Sequence, residues 1–285
     1  MPGATAHAPA KINLTLHVTG RRADGYHMLD SLVVFADLGD QISAAPSEGL
    51  SLEVSGPFAQ GVPLDDSNII LKAAAMFQAR SGVTQGVHLR LVKALPHAAG
   101  LGSGSSDAAA TLALLAAFWG VPPLAADDPD VLALGADVPV CRRAPAPVRM
   151  EGIGERLTPL PPLPRMAMVL INPRVPVPTA EVFRTLPHRE NPPMEALPEG
   201  LDYTGFCEWL ARQRNDLQGP AEVLAPEITR ALEMLRRMPA VGAAVMSGSG
   251  ATCVAVVPDI GTARQVARVI QVAEMSWWVA PVQML

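Results

Sequence analysis

The sequence predicts an α+β protein of two domains, and three observations carry that expectation. Short strand-like and helix-like runs alternate along the chain without the strict repeat of a βαβ fold. A length of 285 residues suits two domains of ordinary size. Apolar residues make up 49% of the chain and aromatic ones only 4%, so the core should be aliphatic and large enough to fold unaided.

Residues 11–18 read as the first strand. Ile12, Leu14, Leu16 and Val18 alternate with Lys11, Asn13, Thr15 and His17, so Lys11 and Asn13 share the polar face. A lysine on such a face is ordinarily solvated. Asp24-Gly25 marks a turn. Tyr26-His27 after it is either a pair that stacks on and hydrogen-bonds a base, or a partly buried aromatic pair. Residues 32–35 and 50–54 form further apolar, strand-like runs. Asp66-Ser67-Asn68 then offers side-chain caps to a helix beginning at Ile69.

The next segment is the most informative. Val87, Leu89 and Leu91 alternate with His88 and Arg90 as in a half-buried strand. There follows Pro96-His97-Ala98-Ala99-Gly100-Leu101-Gly102-Ser103-Gly104-Ser105-Ser106-Asp107. After Ser105 the chain is dense in alanine and leucine, good helix formers, up to Gly120 and Pro122. Strand, glycine loop and helix start form an anion cradle. Glycine lets backbone approach closely, and the free N–H groups of the first turn favour negative charge. No Lys-Ser or Lys-Thr follows the last glycine, so this is not a Walker A loop. The plain alternative is a flexible Gly/Ser connector.

Asp137, in Gly135-Ala136-Asp137-Val138-Pro139, is either a turn or cap aspartate or a proton acceptor or cation ligand. Prolines over residues 142–164 mark a domain transition, giving domains of 1–155 and 156–285. Beyond it we expect a strand at 166–171 and helices at 206–214, 228–238 and 261–273. Two strands should flank Ser247-Gly248-Ser249-Gly250, which serves as a hairpin connection or as a place where backbone meets ligand. The four prolines of 187–200 predict a surface loop.

The net charge of −5 argues against a general nucleic-acid or anionic-membrane surface. Cys141, Cys207 and Cys253 lie far apart, in no metal-ligand spacing, and read as buried thiols of a reducing compartment. No secretory signal opens the chain. Residues 108–126 carry no charge, but Gly120, Pro122 and Pro123 cut that run short of a spanning helix. A cytoplasmic protein is expected.

Three blocks together, the Lys11 strand, residues 96–110 and residues 245–256, resemble the GHMP kinase superfamily. The run from Ala8 through Lys11-Ile12-Asn13 to Asp24-Gly25-Tyr26-His27, with Gly100-Leu101-Gly102-Ser103-Gly104-Ser105-Ser106-Asp107 and Gly135 to Pro139, narrows the resemblance. It is similar to the branch that phosphorylates the 2-hydroxyl of 4-diphosphocytidyl-2-C-methyl-D-erythritol in the non-mevalonate isoprenoid pathway. The resemblance implies two α+β domains with the active site in the cleft between them, ATP as co-substrate and nucleotide-bound Mg²⁺. Asp137 would be the base or orienter of the hydroxyl, with Lys11 stabilising the alkoxide-like nucleophile. Pro96 through Ser106 would hold the phosphates, with Asn68 and Lys93 near the nucleotide. Asn13, Tyr26 and His27 match positions on the cytidine side, Phe183 one that stacks on the cytosine, and Ser247, Gly248, Ser249 and Gly250 a turn over the transferring phosphate. Ser103 departs from the family, whose loop commonly has a third consecutive glycine there. A side chain would disturb that approach if the position needs positive φ. The competing readings are a GHMP kinase for homoserine or mevalonate, which Asp24 to His27 and Phe183 disfavour, and a catalytically silent sensor, which needs neither Lys11 nor Asp137. A homodimer stays open.

Overall fold

The structure, a computed structural model, describes residues 4–285. The first half of the chain forms β1 (Ala4–Asn13), β2 (His17–Arg21), β3 (His27–Ser47), β4 (Leu50–Ser55), α1 (Ile69–Ser81), β5 (Gly86–Val92), α2 (Ser103–Trp119), α3 (Pro129–Leu134) and α4 (Val138–Cys141). Then come β6 (Val148–Gly152), β7 (Arg156–Pro159), β8 (Ala167–Asn172), α5 (Thr179–Arg184), α6 (Tyr203–Ala211) and α7 (Gln218–Leu224). The chain closes with α8 (Glu227–Arg236), β9 (Ala243–Met246), β10 (Cys253–Val257), α9 (Ile260–Ala273) and β11 (Trp278–Gln283). The class is α+β, as expected. Two compact units interleave in sequence. One takes the chain up to Lys11, Leu38–His97 and Gly102–Ala144; the other takes Ile12–Asp37, Ala98–Leu101 and Pro145–Leu285.

In the first unit the end of β3, from Gln41 to Ser47, pairs antiparallel with β5, and β4 joins β5 in parallel. Helices α1 and α2 pack together. Helix α1 begins where the sequence placed it, with Asn68 Oδ1 accepting the Ile70 N–H at 2.8 Å. Helix α2 ends at Gly120 in the left-handed conformation, again as the sequence indicated. It starts at Ser103, ahead of the alanine-rich run that follows Ser105, because Gly102 takes φ 57° and turns the chain into the helix. No helix among the described residues is long and apolar enough to cross a membrane.

In the second unit, β11, β8, β10 and β9 form an antiparallel sheet in that order. Helix α8 buries Ile228, Ala231, Leu232 and Leu235, and α9 buries Ala263, Val266, Ala267 and Ile270. Both sets follow the spacing i, i+3, i+4, i+7, one apolar stripe per helix. These stripes join Val169, Ile171, Cys253 and Ala255 of the sheet in the core of this unit. The three cysteines are buried and free.

One expectation needs correction. The strand expected over residues 11–18 is broken: β1 runs from Ala4 to Asn13, and β2 starts at His17. At the break the backbone changes partners. Leu14 N–H donates to Leu32 O, whereas Leu16 N–H donates to Arg214 O and Leu16 O accepts from Asp216 N–H. The polar face is also not solvated, since Lys11, Asn13, Thr15 and His17 are each at most 4% exposed. The 187–200 segment supplies part of the reason. It is an irregular, mostly exposed surface loop, as expected, and it is also tied down. Asn191 N–H donates to Val18 O, and Met194 N–H donates to Asp30 Oδ2 at 2.9 Å. Met194 is buried, and its sulfur accepts the Thr15 hydroxyl. Asp30 in turn holds Arg149 through two bonds of 2.8 and 2.7 Å. The segment therefore covers the polar side of Thr15 and His17.

Candidate active site

In the first unit Lys11 and Asp137 meet at 2.9 Å. Their side chains differ in exposure, 5% for Lys11 and 36% for Asp137, so the pair has a buried cation and an accessible carboxylate. Asp137 stands just ahead of α4 but makes no side-chain cap bond there. With Pro139 at the second position of that helix, one of the N–H groups a cap would bind is missing. The cap reading therefore fails, and the carboxylate faces Lys11 instead. The aliphatic stem of Lys11 lies against Gly102. A Cβ on Gly102 would sit 3.0 Å from Lys11 Cδ and 3.3 Å from its Cβ. Lysine, aspartate and the first turn of α2 thus gather at one place, where a buried cation and helix N–H groups both favour an anion.

The glycine loop is ordered by its own backbone. Gly100 and Gly102 both take positive φ, 73° and 57°, as does the exposed Ala98 at 46°. An alanine in that region carries strain, and such outliers cluster at functional sites. Ser103 is already the first helical residue and is not among the positive-φ positions, so its side chain costs the backbone nothing. Ser106 has a structural task, donating its hydroxyl to Pro9 O at 2.7 Å, while Gly104 and Ser105 remain partly exposed. Pro96 and Ala99 are buried, and His97 is exposed.

Asn68 and Lys93 have their side chains committed elsewhere. Asn68 caps α1 and donates to Pro63 O. Lys93 Nζ lies 2.5 Å from Asp40 Oδ2 and 2.6 Å from Asp107 Oδ2, all three side chains buried. Asp40 is also satisfied by the N–H groups of Ala94 and Leu95, whereas Asp107 Oδ1 has no hydrogen-bond partner among the described residues. One lysine cannot neutralise two carboxylates. Burial pushes the Asp107 carboxyl up to about 8, against the pull of Lys93 and with help from Asp40. A raised acid gives stability that is full below its unfolded value and is lost as pH climbs through about 8. Asp107→Asn does not titrate, so its melting temperature relative to the parent should rise by several degrees from pH 5 to pH 9. Thermal unfolding of both proteins across that range checks this; a constant offset rejects it.

The second unit holds the cytidine-side candidates. Asn13 Nδ2 donates to Ser31 Oγ at 2.7 Å, and Asn13 N–H donates to Ser247 Oγ at 3.1 Å. Tyr26 and His27 do not form a pair with each other. Tyr26 is 57% exposed, and His27 stacks on Phe183 with centroids 4.7 Å apart and planes 23° apart. Burial, then Arg21 and Arg189, hold the His27 pKa below its ordinary value, so the ring is neutral near pH 7. Its Nε2 is buried with no hydrogen-bond partner among the described residues. The Ser247 to Gly250 turn joins β9 to β10 as a hairpin and also meets the loop: Ser247 Oγ donates to Gly100 O at 2.8 Å, and Thr252 N–H to Ala99 O. Ser249 Oγ pairs with Thr179 Oγ1 at 2.7 Å.

Sequence reasoning missed Asp40, Asp107, Ser31, Thr179 and Asn215, all polar residues that hold the candidates in place. Asp107 alone carried a local signal, directly after Ser105-Ser106.

A glycine loop leading into a helix, with a lysine–aspartate pair beside it, offers the groups that an anion would need, and comparison with known proteins gives the class of the chain. Residues 68–142 match the GHMP kinases N terminal domain, and residues 194–273 match the GHMP kinases C terminal domain. The chain belongs to the GHMP kinases and is an ATP-dependent kinase. It is 52% identical over 282 residues to the 4-diphosphocytidyl-2-C-methyl-D-erythritol kinase of Cereibacter sphaeroides, covering 98% of this chain and 99% of that one. A crystal structure of a 4-(cytidine 5'-diphospho)-2C-methyl-D-erythritol kinase superposes with a TM-score of 0.78 at 32% identity, over 98% of this chain and 99% of the other. Within its class the chain belongs with the 4-diphosphocytidyl-2-C-methyl-D-erythritol kinases. A homoserine kinase from Cytophaga hutchinsonii reaches a TM-score of 0.71 over 99% of this chain and 96% of its own, but at 15% identity that likeness is one of fold alone.

Proposed function

We propose that this chain transfers the γ-phosphoryl group of ATP to the 2-hydroxyl of 4-diphosphocytidyl-2-C-methyl-D-erythritol, in the non-mevalonate isoprenoid pathway of the cytoplasm. The observation that carries the reading is the buried Lys11 paired with the accessible Asp137 beside the first turn of α2. Asp137 takes the proton of the 2-hydroxyl, or orients it, as the oxygen attacks. A new P–O bond forms to that oxygen, the bond to the β-phosphate bridge breaks, and ADP leaves. Lys11 stabilises the developing charge, and the N–H groups from Gly102 onward hold the phosphates. Such a transfer needs mainly positioning and charge stabilisation, which these groups supply. Mg²⁺ enters bound to the nucleotide as part of the substrate.

On the acceptor side, neutral His27 and its stack on Phe183 offer the cytosine an aromatic surface. Asn13 and Tyr26 complete that side in this reading.

The test is ADP release with MgATP and two acceptors, the cytidylated substrate and methylerythritol 4-phosphate, which lacks the cytidine. Turnover is expected with the first alone. Turnover with neither, by a folded protein that binds ATP, would reassign the acceptor; equal turnover with both would remove the cytidine role of His27 and Phe183.

A further inference from the structure

We propose that Asn215 is a positioning residue for phosphoryl transfer, setting the Ser247 to Gly250 turn against Asn13 and Gly100 through its two carboxamide N–H donors. Asn215 Nδ2 donates to Met246 O and to Gly248 O, each at 2.8 Å. These carbonyls bracket Ser247, so one planar amide fixes the backbone on both sides of that serine. The amide is itself aimed: Asn215 Oδ1 accepts the Leu217 N–H at 3.0 Å. Its backbone is anchored too, since Leu16 bridges to Asn215 and Asp216 Oδ2 accepts the Val18 N–H at 2.7 Å.

Ser247 converts this hold into contact with two candidate site groups. Its hydroxyl has one proton, which goes to Gly100 O, and a lone pair, which accepts the Asn13 N–H. The fit leaves no slack. A Cβ on Gly100 would collide with Ser247 O and lie 2.9 Å from Gly250 O, and one on Gly248 would lie 3.3 Å from Gly100 O. Shortening the side chain removes the one amide that Met246 O and Gly248 O share, so the turn would relax and carry Ser247 with it. A displacement of the groups that Ser247 holds, Asn13 and Gly100, should therefore lower turnover more than it lowers stability.

The inference rests on the proposed phosphoryl transfer, so its test includes a measurement independent of the acceptor. Asn215→Ala, Ser247→Ala and the double variant are made in the full chain. For each, kcat, both KM values, the Kd of a non-hydrolysable ATP analogue with Mg²⁺ and the melting temperature are measured. Asn215→Ala should lower kcat about 10- to 100-fold and weaken the analogue about fivefold or more. In the Ser247→Ala background the same change should cost less than about threefold, because the relay is already cut. A residue that only supports the fold would lower the melting temperature and leave kcat per folded molecule, both KM values and analogue Kd unchanged. That outcome, or fully additive losses, overturns the proposal. Should the Asn215 variant not fold, Ser247→Ala with parental kcat and analogue affinity overturns it equally. If the parent protein turns over no cytidylated acceptor, the analogue Kd alone decides, and parental affinity in Asn215→Ala rejects the role.

Discussion

Asp137→Asn is expected to lower kcat by about 10²- to 10⁴-fold while an ATP analogue binds within about threefold of the parent. Asparagine keeps the volume and one oxygen but can accept no proton. It also leaves Lys11 facing a neutral amide where a carboxylate stood at 2.9 Å. Because Lys11 is buried, losing its carboxylate partner should also lower the melting temperature, so kcat is compared per folded molecule. Steady-state kinetics, analogue titration and thermal unfolding on one preparation check all three statements. Parental kcat in the variant removes Asp137 from the reaction; loss of nucleotide binding equal to the loss of kcat makes it a binding residue instead.

Gly100→Ala should be the most damaging single change in the glycine loop. Gly100 sits at φ 73°, a conformation that costs other residues about 1–2 kcal/mol. Here the added Cβ would also strike two backbone oxygens of the Ser247 to Gly250 turn, and neither can move aside as a flexible side chain would. A loss of roughly 2–4 kcal/mol follows, with ATP-analogue affinity down by about tenfold or more, since the segment that should meet phosphate is pushed out of place. Gly120→Ala is the matched control. It lies at φ 65° but faces open space, so it should show the conformational cost alone and leave analogue affinity unchanged. Equal effects from the two substitutions would mean that the turn does not support the loop.

Much of the fold was legible where local rules act alone. Asn68 ahead of an alanine-rich run is a capping signal that needs no tertiary partner, and α1 begins there. Gly120 closes α2 for an equally local reason. Strand β11 went unseen because Pro281 lies within it; only its place at the sheet edge, paired with β8 alone, tolerates a missing N–H. The 187–200 segment was legible as irregular but not as anchored. Its bonds to Val18 and Asp30 span more than 150 residues, and the proline content that marks a loop says nothing about what lies beneath it.

The candidate site divides along the same line. The sequence by itself determined the chemical groups: a lysine and an asparagine on one strand, a strand–glycine–helix cradle, an aspartate before Val138-Pro139, and a Tyr-His turn. These are local patterns whose residue types follow from what phosphate and nucleobases require. Only the tertiary structure decided which groups meet. It paired Lys11 with Asp137 across 126 positions of sequence, withdrew Lys93 into a buried cluster with Asp40 and Asp107, and stacked His27 on Phe183 rather than beside Tyr26. The physical reason is that a charge buried by the fold must find a partner wherever the chain brings one. That choice depends on packing between segments distant in sequence, which no local pattern records.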